Sequence, residues 1–173
     1  MNGRFTGTAR LLHWLMAVLI LTMLFIGVGM VSTVSTRYQL LVGIHRPLGI
    51  AILVLALIRL GWRLGHPPPP LPADLPTVQQ ALAKLSHYLL YLLMLVLPLV
   101  GWGMLSAQDY PVQLWPGVHL PPILPASPML YATLRSAHTV LAYLFFATIL
   151  AHVAAALMHG LVRRDGVFSS MAP

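Results

Sequence analysis

The chain has 173 residues, is 58% hydrophobic and 8% charged, contains neither cysteine nor glutamate, and carries a formal net charge of +7. A soluble domain averages about 25% charged residues, so this surface does not face water, and residues 1–173 read as one integral membrane domain with no nucleic-acid partner. The absence of cysteine excludes disulfides, thiolate-held iron–sulfur clusters and covalently attached c-type haem. Eight histidines remain as the strong metal ligands.

Four apolar runs reach the roughly 20 residues that a spanning helix needs: about 11–31, 40–62, 82–105 and 131–162. The predicted architecture is an all-α, integral membrane four-helix bundle. The first run follows Arg4 and Arg10 in the manner of a signal peptide, but it is too long for one and no clear cleavage site follows. The second and third runs are joined by a proline block, Pro67 to Pro70 with Pro72 and Pro76 behind, which predicts an extended strap. Between the third and fourth runs lie 24 residues, 106–129, holding Trp115, His119 and the prolines 111, 116, 121, 122 and 125. A loop of that length is expected to fold against the helix ends as a cap. The tail after Val162 is too short for a further helix or a soluble domain.

Positive charge sets the orientation. Arg4, Arg10, Arg59, Arg63, Lys84, Arg163 and Arg164 flank one side, against Arg37, Arg46 and Arg135 on the other. The positive-inside rule places both termini in the cytoplasm. The expected setting is a bacterial inner membrane.

His138 and His152 lie fourteen residues apart in the fourth run. At about 100° and 1.5 Å per residue, fourteen steps return the second ring to within about 40° of the first, roughly 21 Å further along. Imidazoles in lipid are costly and mark function. Two on one face suggest two stacked metal centres joined by an electron path. On the outer side, His45 and His138 are the only intramembrane histidines and lie at similar depth, which suits the two axial positions of a haem iron. The inner side offers His13, His87, His152 and His159. His152 is in phase with His138, while His13 and His87 compete for the second position and spacing does not choose between them.

The stretches HWLMAVLILTMLFIGVGM, HRPLGIAILVLALIRL, LSHYLLYLLMLVLPLVGWGMLS and AHTVLAYLFFATILAHVAAALMHGLVRRDG resemble the bacterial cytochrome b-561 family over nearly the whole chain. That family is similar to the b-type subunits of formate dehydrogenase and nickel–iron hydrogenase. There the first-helix histidine pairs with the second histidine of the fourteen-residue pair. The resemblance therefore implies two haem b groups, the inner on His13 and His152, the outer on His45 and His138. It further implies the activity of the small stand-alone members, which oxidise superoxide on the periplasmic side and pass the electrons to ubiquinone near the cytoplasmic side. No obligate protein partner is then expected beyond the lipid bilayer.

His87 and His159 are left without iron. They lie at the cytoplasmic edge beside Lys84, Ser86 and Arg163, and a histidine both donates to a quinone carbonyl and supplies its proton. The resemblance implies a ubiquinone site here, with interfacial binding to water or lipid phosphate as the alternative for His159. On the outer side, Arg46 beside His45 is a candidate for a haem propionate. Arg37, Arg46 and Arg135 together form a positive mouth that would draw in a small anion such as superoxide. Gly27, Gly29, Gly43, Gly49, Gly101 and Gly103 thin the first three helices for close helix packing or for a flat macrocycle. Two other readings remain: a membrane anchor passing electrons from a partner dehydrogenase or hydrogenase subunit to quinone, and a haem-free channel whose histidines relay protons.

Overall fold

With no water in hydrocarbon to satisfy the backbone, a spanning segment must close its own hydrogen bonds, and an apolar run longer than 20 residues does so as a helix. In a computed structural model of the chain, which describes residues 3–172, four such helices form: α1 (Gly7–Ser32), α2 (Thr36–Gly65), α3 (Thr77–Ala107) and α4 (Pro128–Leu157). Each begins a few residues before its apolar run, and three of the four carry a side-chain cap there. The Thr6 hydroxyl accepts from Ala9 N, the Ser35 hydroxyl from Arg37 N, and the Ser127 hydroxyl from Leu130 N, with Pro128 at the first turn. Pro47 and Pro98 lie inside α2 and α3, a placement that membrane helices tolerate when neighbours support the freed backbone. Within α4, the hydroxyls of Thr133, Thr139 and Thr148 donate to carbonyls four residues back, so these polar groups cost little in lipid.

Large apolar side chains point outward along all four helices, among them Phe25, Leu57, Leu92 and Val140. The interior is a short column of Met16, Ile20, Ile52, Ala56, Tyr91, Leu93, Met94, Leu97 and Phe145, to which every span contributes. Such a pattern, apolar outside as well as inside, belongs to a bundle solvated by acyl chains. α3 supplies the most core residues and packs on both α2 and α4.

The all-α expectation needs one correction. The cap over one end contains an antiparallel hairpin, β1 (Val112–Trp115) and β2 (Val118–Leu120), with Val112 opposite Leu120 and Gln113 opposite His119. Its turn needs Gly117, which sits at φ 82 in the left-handed region. The cap is tied down: Trp102 Nε1 donates to Pro121 O at 2.9 Å, Ile123 N to the Ser106 hydroxyl at 3.1 Å, and Ser127 N to Ala107 O at 2.9 Å. A side chain at Gly103 would meet Leu124 at 2.8 Å, so the returning loop presses on bare backbone there. The expected fold-back of 106–129 onto the helix ends is what forms.

A second correction concerns the fourth run. Its α-helix stops at Leu157 and continues as a π-helical turn, Met158–Arg163, closed by Arg164 N donating to His159 O at 2.8 Å. The wider turn ends the α-helical register just before His159. The tail, expected to be too short for a further helix, forms a short one, α5 (Val167–Met171). It folds back beside α1: Phe5 N donates to Ser170 O, Arg10 Nη1 to Ala172 O at 3.0 Å, and Trp14 Nε1 to Met171 O at 2.9 Å. Phe168 nests over Gly160, where an added Cβ would stand 3.1 Å from its Cγ.

That nesting generates a prediction. Gly160→Val overpacks the contact at about 1–3 kcal/mol, so cleavage of the 165–172 segment by an added protease should speed up by about tenfold. Wild-type cleavage rates in the variant would show that Phe168 does not hold the tail.

Candidate functional site

Histidine side chains gather at two levels of the bundle. Toward the hairpin end, His45 of α2 faces His138 of α4 with ring centroids 6.2 Å apart and planes at 69°. Toward the end that carries the termini, His13 of α1 faces His152 of α4 at 6.3 Å and 66°. The fourteen-residue spacing on α4 thus delivers one imidazole to each level, and α1 and α2 supply one partner each. His87 of α3 lies 5.4 Å from His152, adding a third ring at the termini end only.

Two imidazoles bound to opposite sides of one iron, with bonds of about 2 Å and each ring's own radius added, have centroids roughly 6 Å apart. Both cross-helix pairs match that spacing, and His87–His152 falls short of it. Nδ1 of His45 and of His138 is buried with no hydrogen-bond partner, a condition that costs about 1–3 kcal/mol per group when nothing compensates. The His138 ring lies over the bare backbone of Gly101, where a Cβ would stand 3.4 Å from Cε1. Among the described residues no group of three or more His, Asp or Glu side chains is arranged to hold a bare metal ion. Paired neutral nitrogens fit a metal whose equatorial positions are already filled, as in haem.

The glycines separate into kinds. Gly29 packs on Leu41 and Gly49 on Met23, which is helix contact; Gly27 and Gly43 have nothing within 4 Å of a built Cβ.

At the termini end, one residue joins the site that the sequence reading had counted only as an orientation charge. Arg59 Nη2 donates to His13 Nδ1 at 3.0 Å, while its guanidinium lies 5.6 Å from the Tyr91 ring centre. Arg63 lies 5.5 Å from the same ring. The signal was present: Arg59 follows His45 by fourteen residues, the spacing that separates His152 from His138. His87 has the opposite polarity from His13. Its Nδ1 donates to Ala83 O at 2.7 Å, which leaves the Nε2 lone pair free. Ser86 turns its hydroxyl to the same carbonyl at 2.9 Å, and Lys84 is exposed. His159 has a different partner, Asp165, at 2.7 Å. His87 and His159 therefore sit in separate hydrogen-bonding environments.

At the hairpin end, Arg37 and Arg135 are exposed. Arg46 is half-buried and stacks on Tyr110 of the cap, 4.7 Å from the ring centre. His119 points outward from β2.

The family model for prokaryotic cytochrome b561 matches residues 4–173. The chain is 30% identical over 163 residues to a Yersinia pestis protein described as "Probable superoxide oxidase CybB", covering 94% of this chain and 92% of that one. It is 28% identical over 181 residues to "Cytochrome b561 homolog 1" of Escherichia coli (strain K12), covering 99% and 98%. To "Cytochrome b561 homolog 2" of the same organism it is 28% identical over 162 residues, covering 92% and 86%.

The Arg46–Tyr110 contact is the cap's link to the helix that bears His45. A partly exposed cation–π pair contributes about 0.5–1 kcal/mol, so Arg46→Gln should speed amide exchange across 110–120 by about two- to fivefold and leave 167–171 unchanged. Unaltered exchange in the cap would show that the bonds made by the Trp102 indole and the Ser106 hydroxyl suffice alone.

Proposed function

The chain belongs to the prokaryotic cytochrome b561 family, and from that premise we propose that it is a di-haem superoxide:quinone oxidoreductase. Membership makes it a multi-pass electron-transfer cytochrome of the bacterial inner membrane that binds b-type haem. The observation that carries the di-haem reading is the repeated pair, 6.2 Å between His45 and His138 and 6.3 Å between His13 and His152, each sharing α4.

In this reading His45 and His138 hold one haem and His13 and His152 the other; the Arg59 guanidinium that donates to His13 Nδ1 would turn aside, so that Nδ1 keeps the ring hydrogen and Nε2 offers its lone pair. His87 is left free by its shorter separation from His152. Haem supplies a reversible one-electron iron couple. The protein's part is to fix the imidazoles, keep water out of the apolar column and set the charge around each pair. Arg59 is the cation in contact with His13, whereas at the other level Arg46 is engaged by Tyr110.

Superoxide as donor is supported by the description of the Yersinia pestis relative and by the free arginines at the hairpin end. Arg37 and Arg135 draw the anion inward, and Arg46 balances charge beside His45. Two superoxide anions each give up one electron and leave as oxygen; one quinone takes those two electrons and two protons to become quinol. With the termini cytoplasmic, quinone binds at their end of the bundle and its protons come from the cytoplasm. His87, Ser86, Lys84 and His159 are the groups for that site. Protonated at Nε2, His87 hands a proton to a quinone oxygen while its Nδ1 stays on Ala83. The exposed Lys84 ammonium favours negative charge on the reduced ring. The reading requires no soluble subunit.

Stopped-flow mixing of the purified protein with superoxide, with and without a short-chain ubiquinone, tests this directly. Superoxide alone should reduce both b-type absorbances, and quinone should reoxidise them. A protein that superoxide does not reduce, or that retains a bound dehydrogenase subunit, is instead a membrane anchor. His45→Ala or His138→Ala should remove one absorbance, and His13→Ala or His152→Ala the other. His87→Ala should keep both and slow quinone reduction by about tenfold or more. Loss of both haems in every single variant would overturn the independent pairs.

A separate measurement addresses the arginines. Arg37→Gln with Arg135→Gln should slow haem reduction by superoxide severalfold at low salt, and the difference should vanish near 1 M, where the Debye length is about 3 Å. A deficit that persists at high salt would mean that these arginines do not act by long-range attraction.

A further inference from the structure

Two of the chain's three carboxylates meet at one place, the π-helical turn at the end of α4. Asp165 Oδ2 accepts from His159 Nδ1 at 2.7 Å and from Arg163 Nε at 2.9 Å, while its Oδ1 accepts from Val167 N at 3.3 Å. The Arg163 guanidinium reaches on to Asp74 of the strap, donating from Nη2 at 2.8 Å. The His159 and Asp165 side chains are 12% and 11% exposed, whereas Asp74 stands 75% exposed. The other charged group on the turn, Arg164, donates to Leu161 O. Lys84 and His87, on α3, make no hydrogen bond to this set among the described residues.

The chemistry of the partners fixes the imidazole. A carboxylate oxygen only accepts, so the hydrogen of neutral His159 is on Nδ1 and its lone pair is on Nε2. Protonation at Nε2 makes a cation whose counter-charge is already in place. Burial pulls the Asp165 carboxyl upward, but the bonds from Arg163, His159 and Val167 outweigh it and hold it below the usual carboxylate range. Asp165 therefore stays charged at neutral pH, and loses its charge only as pH falls through that lowered value. The arrangement forms at the π turn, where His159 meets a residue six positions on.

We propose that Asp165 is the positioning residue for proton delivery to the quinone: it holds His159 with Nδ1 donating, so that Nε2 collects a proton from the aqueous side and gives it to a reduced quinone oxygen. The N–H bond at Nε2 breaks and an O–H bond forms; His159 returns to neutral, having supplied one of the two protons of the quinol, and His87 supplies the other. The electrons are those that superoxide surrenders. The inference rests on the quinone reading given above. Arg163 has a different part, keeping the carboxylate charged and tying the strap to it.

The test follows reoxidation of superoxide-reduced haem by a short-chain ubiquinone across pH, in the haem-loaded protein. Asp165→Asn should slow reoxidation by about tenfold, because the ring is no longer held with Nδ1 donating. Haem spectra and the rate of haem reduction by superoxide should not change. Asp165→Glu should recover most of the rate. Arg163→Met, which cuts the strap contact and spares the carboxylate, should cost far less than Asp165→Asn. Equal slowing in Asp165→Asn and Arg163→Met would make the cluster a mere tether and overturn the proposal, as would failure of Asp165→Glu to recover the rate. Slow reoxidation in His159→Gln with normal reoxidation in Asp165→Asn sinks this inference alone. Normal reoxidation in His159→Gln sinks the placing of quinone at this histidine as well. Should Asp165→Asn fail to assemble, the wild type decides: reoxidation that does not slow in deuterium oxide overturns proton delivery.

Discussion

Hydrocarbon offers no water to an imidazole, so every ring placed in the bundle needs a partner from the protein or from something the protein holds. α4 places two such rings on one stripe, and α1 and α2 answer with one each. Much of the rest follows from that requirement. The bare backbone of Gly101 leaves room for the His138 ring, and the Arg59 guanidinium reaches down to His13. Among the described residues, Nδ1 of His45 and of His138 is buried without a hydrogen-bond partner, so both rings of the hairpin-end pair keep an open polar group.

The two ends meet their constraints by different means. The hairpin end is closed by backbone bonds and one stacked arginine, Arg46 on Tyr110, so its remaining cations are free in the surface. The termini end is closed by ionic contacts. Arg163 joins Asp74 to Asp165, and the carbonyls of Met171 and Ala172 are taken up by Trp14 and Arg10. On the proposed reading, a carboxylate beside these arginines would cancel the field that draws in superoxide. Asp109 is the lone acid at the hairpin end, and the other two acids are committed elsewhere.

Most of the helical frame was legible because lipid imposes one simple rule, a long apolar run, and four runs obey it. Depth was legible for the same reason: counting residues along a straight helix paired His45 with His138 without any contact information. What stayed hidden breaks the regular period. The hairpin lies in a proline-rich loop whose strands are three and four residues long, too short for an alternating pattern to stand out. The π turn leaves no compositional trace, since hydrophobicity continues through Met158 to Val162. The bond from His159 to Asp165 across that turn was therefore not legible. Arg59 was overlooked for another reason. A positive charge at a helix end satisfies the orientation rule so readily that its fourteen-residue phase with His45 went unweighed.

α3 gives the bundle its direction. It contributes more buried residues than any other span and no ring to either matched pair, yet it carries His87 to one end only. Groups able to take up and release a proton from within the bundle, His87 on its Ala83 carbonyl and His159 on Asp165, both lie at the termini end. The hairpin end has His119 facing outward on a strand and no counterpart to the carboxylate–imidazole couple. Reduction of a quinone consumes protons as well as electrons, whereas oxidation of superoxide to oxygen consumes neither. An end rich in unpaired arginines and poor in proton carriers suits the second reaction. An end with buried imidazoles, one of them braced by a charged carboxylate, suits the first. On the proposed reading the asymmetry of charge and proton chemistry, more than the nearly equal spacing of the two histidine pairs, decides which way electrons are useful.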